Sequence, residues 1–261
     1  MNTIEIIPIK NRIEESLQLA DDYNACFEYN DFFSPAVLDQ PALLDSLTDF
    51  YQSLPRDRSN DTLHGAFLDV TVHSSDTLIR QASEKRICQS MEIAAKLNIR
   101  GVVFHTNLLA TFQNREYLDN WLICNREFFK RLSDQYPNLQ IYMENMFDLY
   151  PLTYAAFGKA MQDCPNISLC FDIAHAHLSM TPVSEWIDIS YPYIGHIHLN
   201  DNDGIHDLHD SIGLGTVNWD IYNTWMKKYK VQASVLVEIG SIEKQQISLA
   251  YLKEHHIFPF E

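Results

Sequence analysis

A chain of 261 residues, 46% hydrophobic and 21% charged, is long enough for one large α/β domain, and no Gly/Ser-rich or Pro-rich linker divides it. Its 35 acidic against 19 basic residues leave a formal charge of -16 and a pI near 5.0, which argues against a broad nucleic-acid footprint built from clustered Lys and Arg. The start MNTIEIIPIK lacks the pattern of a signal peptide and no apolar run nears the ~20 residues of a membrane span, so a cytoplasmic protein without membrane partners is expected.

Taken in order, short apolar or β-branched runs alternate with longer segments of helical period. The runs at 4–9, 25–29, 62–68, 101–105, 140–145, 168–173, 195–200 and 234–239 read as strands. Between them, 12–22, 41–53, 76–97, 115–136, 151–163, 184–189, 219–229 and 242–255 read as helices. The segment 76–97 is representative, with Ile87, Met91, Ile93, Ala94 and Leu97 on one side and Glu84, Lys85, Arg86 and Glu92 left to solvent. Eight such βα units predict a (β/α)8 TIM barrel, one domain over residues 1–261. Five cysteines, Cys26, Cys88, Cys124, Cys164 and Cys170, contain no C-x-x-C pair and read as reduced, mostly buried thiols without assigned chemistry.

A barrel of this kind draws its working groups from the C-terminal strand ends. There the sequence places His64 in LHGAF, His105 in VVFHTN, Glu144 in IYMEN, Asp172 and His175 in CFDIAH, His198 in HIHLND and Glu238 in VLVEIG. Asp207 and His209 follow His198 in a D-x-H arrangement, within a stretch from Ile194 to Trp219 that is dense in histidines, carboxylates and glycines. Each of these groups interrupts or ends an apolar segment, and a carboxylate buried without a partner is costly. No basic residue stands at the predicted strand ends to neutralise them. A shared divalent ion, zinc, manganese or cobalt, would offset the cost, and imidazole and carboxylate suit all three.

This set resembles the xylose-isomerase-like barrel superfamily, which contains sugar isomerases and epimerases, inosose dehydratases and the endonuclease IV type of repair enzyme. The family signature has a glutamate after strand five, an aspartate with a histidine three residues on after strand six, a histidine after strand seven and a glutamate after strand eight. Glu144, Asp172, His175, His198 and Glu238 match it. His64, His105, the pair Asp207 and His209, and the G-x-G at Gly213 and Gly215 resemble the fuller three-zinc set of endonuclease IV. The resemblance implies a central metal on Glu144, Asp172, His198 and Glu238, a second on His64 and His105 bridged by Glu144, and a third on His175, Asp207 and His209: one to three ions per chain. The D-x-H pair would alternatively grip substrate.

It also implies metal-assisted proton transfer through an enediolate, with Glu144 and Glu238 as the acid/base pair, on a sugar or sugar phosphate. The alternatives are a multi-zinc phosphoester hydrolase and a non-catalytic metal- or sugar-binding barrel. Two departures weigh against the repair enzymes and xylose isomerase itself: the repair family's His-Ala-Pro-Tyr becomes His64, Gly65, Ala66, Phe67, and no lysine follows strand five. No P-loop or G-x-G-x-x-G turn is present, so no organic cofactor is expected. Among the remaining groups, His196 is expected beside His198 as a hydrogen-bonding support, His177 and His206 in loops, and His73, His255 and His256 at the surface or in loops. Glu28 either reaches the mouth or is structural, Phe67 either packs in the core or stacks on a ring, and Trp219 either roofs the pocket or packs its helix.

Overall fold

A computed structural model describes residues 3–260. Eight parallel strands pair in sequence order and close, β8 against β1, into a barrel. They are β1 Ile4–Ile6, β2 Cys26–Tyr29, β3 Thr62–His64, β4 Gly101–His105, β5 Gln140–Glu144, β6 Ile167–Asp172, β7 Ile194–Leu199 and β8 Ser234–Val237. The helices are α1 Ile13–Tyr23, α2 Pro35–Leu38, α3 Pro41–Ser53, α4 Thr77–Leu97, α5 Arg115–Gln135, α6 Pro151–Ala160, α7 Ile173–His177, α8 Val183–Ser190, α9 Trp219–Tyr229 and α10 Ile242–Glu254. The (β/α)8 expectation holds, and the differences are local. β3 stops at His64 because the next free N–H, that of Ala66, donates to Ser90 Oγ on α4 instead of continuing the ladder. β1 stops before Pro8, which has no N–H to offer a neighbour.

Local chemistry starts and ends the helices as the sequence reads. Asp76 caps α4 through Leu78 N and Ile79 N, and Asn98 ends it at φ 55°. Asn114, Asn218 and Ser241 cap α5, α9 and α10. Two short helices were not expected. Pro35–Leu38 is one turn capped by Ser34, and Ile173–His177 is capped by Asp172, whose side chain accepts from His175 N. His177 therefore ends a helix and is not in a loop.

The main apolar core lies between sheet and helices, where Trp121, Phe129 and Phe157 are fully buried. The inside of the barrel is different. Glu28 on β2 meets His196 on β7, and Thr62 on β3 meets Glu5 on β1, so side chains from non-adjacent strands touch across a polar interior. Branched aliphatic residues dominate that space in most barrels. All five cysteines are free; Cys164 and Cys170 are buried and the others half-buried. Among the described residues, no helix is long and apolar enough to cross a membrane.

Candidate metal centre

Strand alternation turns His64, His105, Glu144, Asp172 and His198 inward at the C-terminal ends of β3 to β7, and Glu238 follows β8 directly. The nine residues singled out in the sequence gather into three adjoining groups: Glu144, Asp172, His198 and Glu238; His64, His105 and Glu144; and His175, Asp207 and His209. In each group one nitrogen or carboxylate oxygen per residue lies within 4.8 Å of all the others. The first two groups are buried, whereas the Asp207 and His209 side chains remain 22% and 35% exposed.

The central group is built around His198. Its Nδ1 lies 3.2 Å from Glu144 Oε1 and 3.2 Å from Glu238 Oε2, and its Nε2 faces Glu28 Oε1 at 3.3 Å. Asp172 is held from behind by Asn145, which donates to its carbonyl and accepts from its N–H. Asn200 Nδ2 reaches Asp172 Oδ2 at 3.2 Å and Glu238 Oε2 at 3.5 Å. Both Glu144 oxygens and both His198 nitrogens are buried without a directed hydrogen bond. Lone pairs left that way are expensive, and a cation at their common focus would satisfy them.

The imidazoles of the outer groups are pre-set for the same task. His64, His175 and His209 each direct Nδ1 at a backbone carbonyl, those of Gly65 at 3.0 Å, Asn145 at 2.8 Å and Glu238 at 2.9 Å. A neutral ring that donates there carries its lone pair on Nε2. In His175 and His209 that nitrogen points at one oxygen, Asp207 Oδ2, 3.3 Å from each. In His64 it points at His105 Nε2, 3.0 Å away, with Glu144 Oε2 at 3.0 Å from His105 and 3.6 Å from His64. His209 reaches its place with a left-handed backbone, φ 46°, unusual for a non-glycine residue.

Charge balance follows from this crowding. Burial opposes ionisation of Glu144, yet His198 and His105 beside it hold its carboxyl well below the usual range. Burial, with Glu238 and Glu144 nearby, pushes Asp172 up to about 7. His209 rises to about 10 against burial because Glu238 and Asp207 face it, and His175 and His198 rise well above the ordinary value for similar reasons. Among the described residues no Lys or Arg pairs with any of these carboxylates. His175, His198 and His209 carry the positive charge, whereas burial lowers His105, and divalent metal binding would displace those protons. The donor set therefore fits a divalent cation.

Apart from His177, the neighbouring groups fall within their expected alternatives, with His73 more buried than a surface or loop position suggests. Glu28 is not at the mouth; it lies fully buried beneath His198, bonded by Thr62 Oγ1 at 2.7 Å and approached by His196 Nε2 at 3.2 Å. His196 is where alternation put it, its Nδ1 on Ser234 Oγ. Trp219 packs, donating its indole N–H to Asp201 Oδ2 at 2.9 Å. Asp201 organises the loop after β7, since its carboxylate also accepts from Gly213 N and Val217 N. A Cβ on Gly215 would lie 2.3 Å from Asp201 Oδ1, which explains the second glycine of the G-x-G. Phe67 is half-buried at the rim, its ring 5.0 Å from that of His64 and 4.7 Å from that of His105. His73, expected at the surface or in a loop, is in a loop but only 6% exposed, and its Nε2 meets Tyr117 Oη at 3.2 Å. His206, His255 and His256 are exposed.

A closed (β/α)8 barrel with imidazole and carboxylate clusters at its C-terminal end defines the class. The model of the xylose isomerase-like TIM barrel family matches residues 33–255, and the chain belongs to that family. Two proteins of Methanocaldococcus jannaschii are similar: Uncharacterized protein MJ1614, 25% identical over 74% of this chain and 76% of its own length, and Uncharacterized protein MJ1311, 26% identical over 74% and 69%. Solved structures share the fold. The TTHB071 protein of Thermus thermophilus, soaked with ZnCl2, superposes with TM-score 0.76 at 24% identity over 97% of both chains. A D-tagatose 3-epimerase-like protein gives 0.74 at 19% over 97% and 96%, and a D-psicose 3-epimerase crystallised in the presence of D-fructose gives 0.71 at 14% over 97% and 99%.

Proposed function

We propose that this protein is a divalent-metal-dependent isomerase or epimerase of a sugar or sugar phosphate. The observation that carries the reading is the convergence of Glu144, Asp172, His198 and Glu238 on one point, with lone pairs of Glu144 and His198 unsatisfied and, among the described residues, no Lys or Arg paired with the carboxylates. Zinc, manganese or cobalt held by these four residues would polarise a carbonyl and its neighbouring hydroxyl. Glu144 and Glu238 are the acid/base pair. Both are held ionised among imidazoles, as proton acceptors must be. They approach His198 Nδ1 from strands β5 and β8, on either side of β6 and β7, an arrangement that allows one to take a proton from carbon and the other to return it. Sugar 3-epimerases among the fold neighbours support this reading by analogy.

A second reading, a multi-metal phosphoester hydrolase, is favoured by the two outer groups, in which Glu144 is shared with His64 and His105 while His175 and His209 converge on Asp207. Elemental analysis of protein purified without chelator, with solvent deuterium exchange into D-fructose, separates them. About one metal per chain, unchanged in His209→Ala, together with metal-dependent exchange, is the expected result and makes Asp207 and His209 substrate-gripping groups. About three metals, falling to two in His209→Ala, with phosphodiester cleavage and no exchange, would replace the isomerase by the hydrolase.

A further inference from the structure

Beside the metal centre, the loops after β3 and β4 enclose a cavity of about 700 Å³ over the start of α5. None of the nine candidate ligands lines it, and the link to the centre runs through Asn107 and Phe67. Asn107, two residues past His105, lines it and ties the two loops together by donating from Nδ2 to Phe67 O and Val70 O, 2.9 Å each. The ring of Phe67 lies in turn on His64 and His105. The lining is polar and neutral, with Thr71, His73, Ser74, Asn114, Tyr117 and Asn120; His73 and Tyr117 bond one another, Asn114 Oδ1 accepts from Tyr117 N and Asn120 Nδ2 donates to His73 O, which leaves Asn114 Nδ2, Asn120 Oδ1 and the hydroxyls of Thr71 and Ser74 for a ligand. Burial lowers His73 to about 4, so it is uncharged near neutrality. Apolar surface comes from Leu109 and Phe112, which are 63% and 53% exposed. Glu116 is the one charged side chain in the lining.

Seven of the eight loops at the mouth carry no basic residue of their own, and the helix residues Lys244 and Arg80 that reach them are engaged with Asp210 and with Ser74 O. Residues 30–34, 65–76, 106–114, 145–150, 178–182, 200–218 and 238–241, the loops after β2 to β8, contain no Lys or Arg. Lys10 and Arg12 in the loop after β1 are engaged elsewhere, Lys10 over the Phe50 ring and Arg12 between Glu15 and Glu243. Barrels of this kind often hold phosphate near the loops after strands seven and eight, at a helix N-terminus. Here α9 and α10 carry Asp220 and Glu243 in their first turns, and the Asn218 and Ser241 side chains already take N–H groups. A phosphate would meet negative charge and few free donors.

We propose that this cavity is a binding subsite for an uncharged polyhydroxylated group, the remote part of a sugar whose reacting carbons lie at the metal centre. The subsite rests on the isomerase reading for that second half. Neutral amides and hydroxyls with an exposed aromatic face match hydroxyls and the apolar face of a pyranose, and the volume lies within the range of small-ligand pockets. The preferred substrate is then an unphosphorylated sugar extended by a second residue.

Saturation-transfer NMR on the zinc-loaded protein tests this with D-fructose, its glucosyl derivative isomaltulose, and D-fructose 6-phosphate. The expected result is transfer to both rings of isomaltulose, with loss of transfer to the glucosyl ring alone in Phe112→Ala, an exposed position where folding is not at stake, and weaker competition by the phosphate. Transfer to the fructosyl ring only, equal glucosyl transfer in wild type and Phe112→Ala, or preferential binding of the phosphate would overturn the proposal. Binding is read here without turnover, so the two readings fail separately. Two-ring transfer without deuterium exchange into fructose would leave the subsite and remove the isomerase, and exchange without glucosyl transfer would do the reverse.

Discussion

The two ends of one barrel bury carboxylates in different ways. At the N-terminal end, Glu5 pairs with Arg100, and Asp61 pairs with Arg56 at 2.6 Å while accepting from Phe27 N and Tyr29 Oη. At the C-terminal end, Glu144, Asp172 and Glu238 are just as buried, yet their neighbours are imidazoles, an asparagine and one another. The desolvation cost is of the same kind at both ends. One end answers it with a permanent cation supplied by the chain, the other with groups that can exchange protons for a metal. The first is a device of stability, and the second is consistent with a divalent metal site.

The largest effect expected from this contrast comes from making the C-terminal end more like an ordinary core. Asp172→Asn keeps the shape and the cap on α7 but removes a carboxyl that burial, with Glu238 and Glu144 nearby, pushes up to about 7. Metal content should collapse and deuterium exchange into substrate fall by about 10³-fold or more, while the metal-free protein unfolds at equal or higher urea, a gain of about 1 kcal/mol. Arg100→Ala makes the opposite break. It strands Glu5 and should cost about 3–5 kcal/mol in urea unfolding with no change in bound metal. A variant at either end that moved both quantities together would dissolve the distinction.

A subtler change sharpens it. Glu28 lies between the two ends, joined to Glu5 through Thr62 and facing His198 Nε2 at 3.3 Å. With a metal bound and the ring neutral, a carboxylate there would favour the proton on Nε2 and leave the Nδ1 lone pair toward Glu144 and Glu238. Glu28→Gln should weaken metal affinity by about 10–100-fold, measured by competition with a chromophoric chelator, with stability little changed.

Much of this was legible in the chain because a charge inside an apolar run is conspicuous. FHTN, YMEN, FDIAH and HIHLND each put an ionisable group at the end of a strand that the period of two defines, and strand order alone brings them to one mouth. Glu28 stands in an equally apolar run, but its meaning depends on His196 and His198, some 168 residues away in the first case, and on whether its side chain points up or down inside the barrel. The helix Ile173–His177 escaped because five residues show no period; it exists because Asp172, already a candidate ligand, caps it. His73 was legible as a surface or loop residue but its burial was not, because the side chains near it, Tyr117 and Asn120, come from α5.

His73 and His209 give the finest form of the contrast, two histidines near the same mouth moved in opposite directions. His209 faces carboxylates and is raised to about 10, whereas His73 has only burial acting on it and is lowered to about 4. The sign for His73 is set by the unfolded chain, whose histidines protonate near 6.5. Between pH 6.5 and about 4 the unfolded state takes up a proton that the native state refuses, so stability falls as pH falls through that window. The distance from 6.5 to about 4, at about 1.4 kcal/mol per pH unit, caps the loss at roughly 3 kcal/mol. His73→Gln removes this titration, and the difference in urea midpoint between wild type and variant should shift in the variant's favour as the pH is lowered from 7 to about 4. A constant difference across that range would mean that His73 is solvated in the native protein and that the cavity beside it is more open to water and protons than its lining suggests.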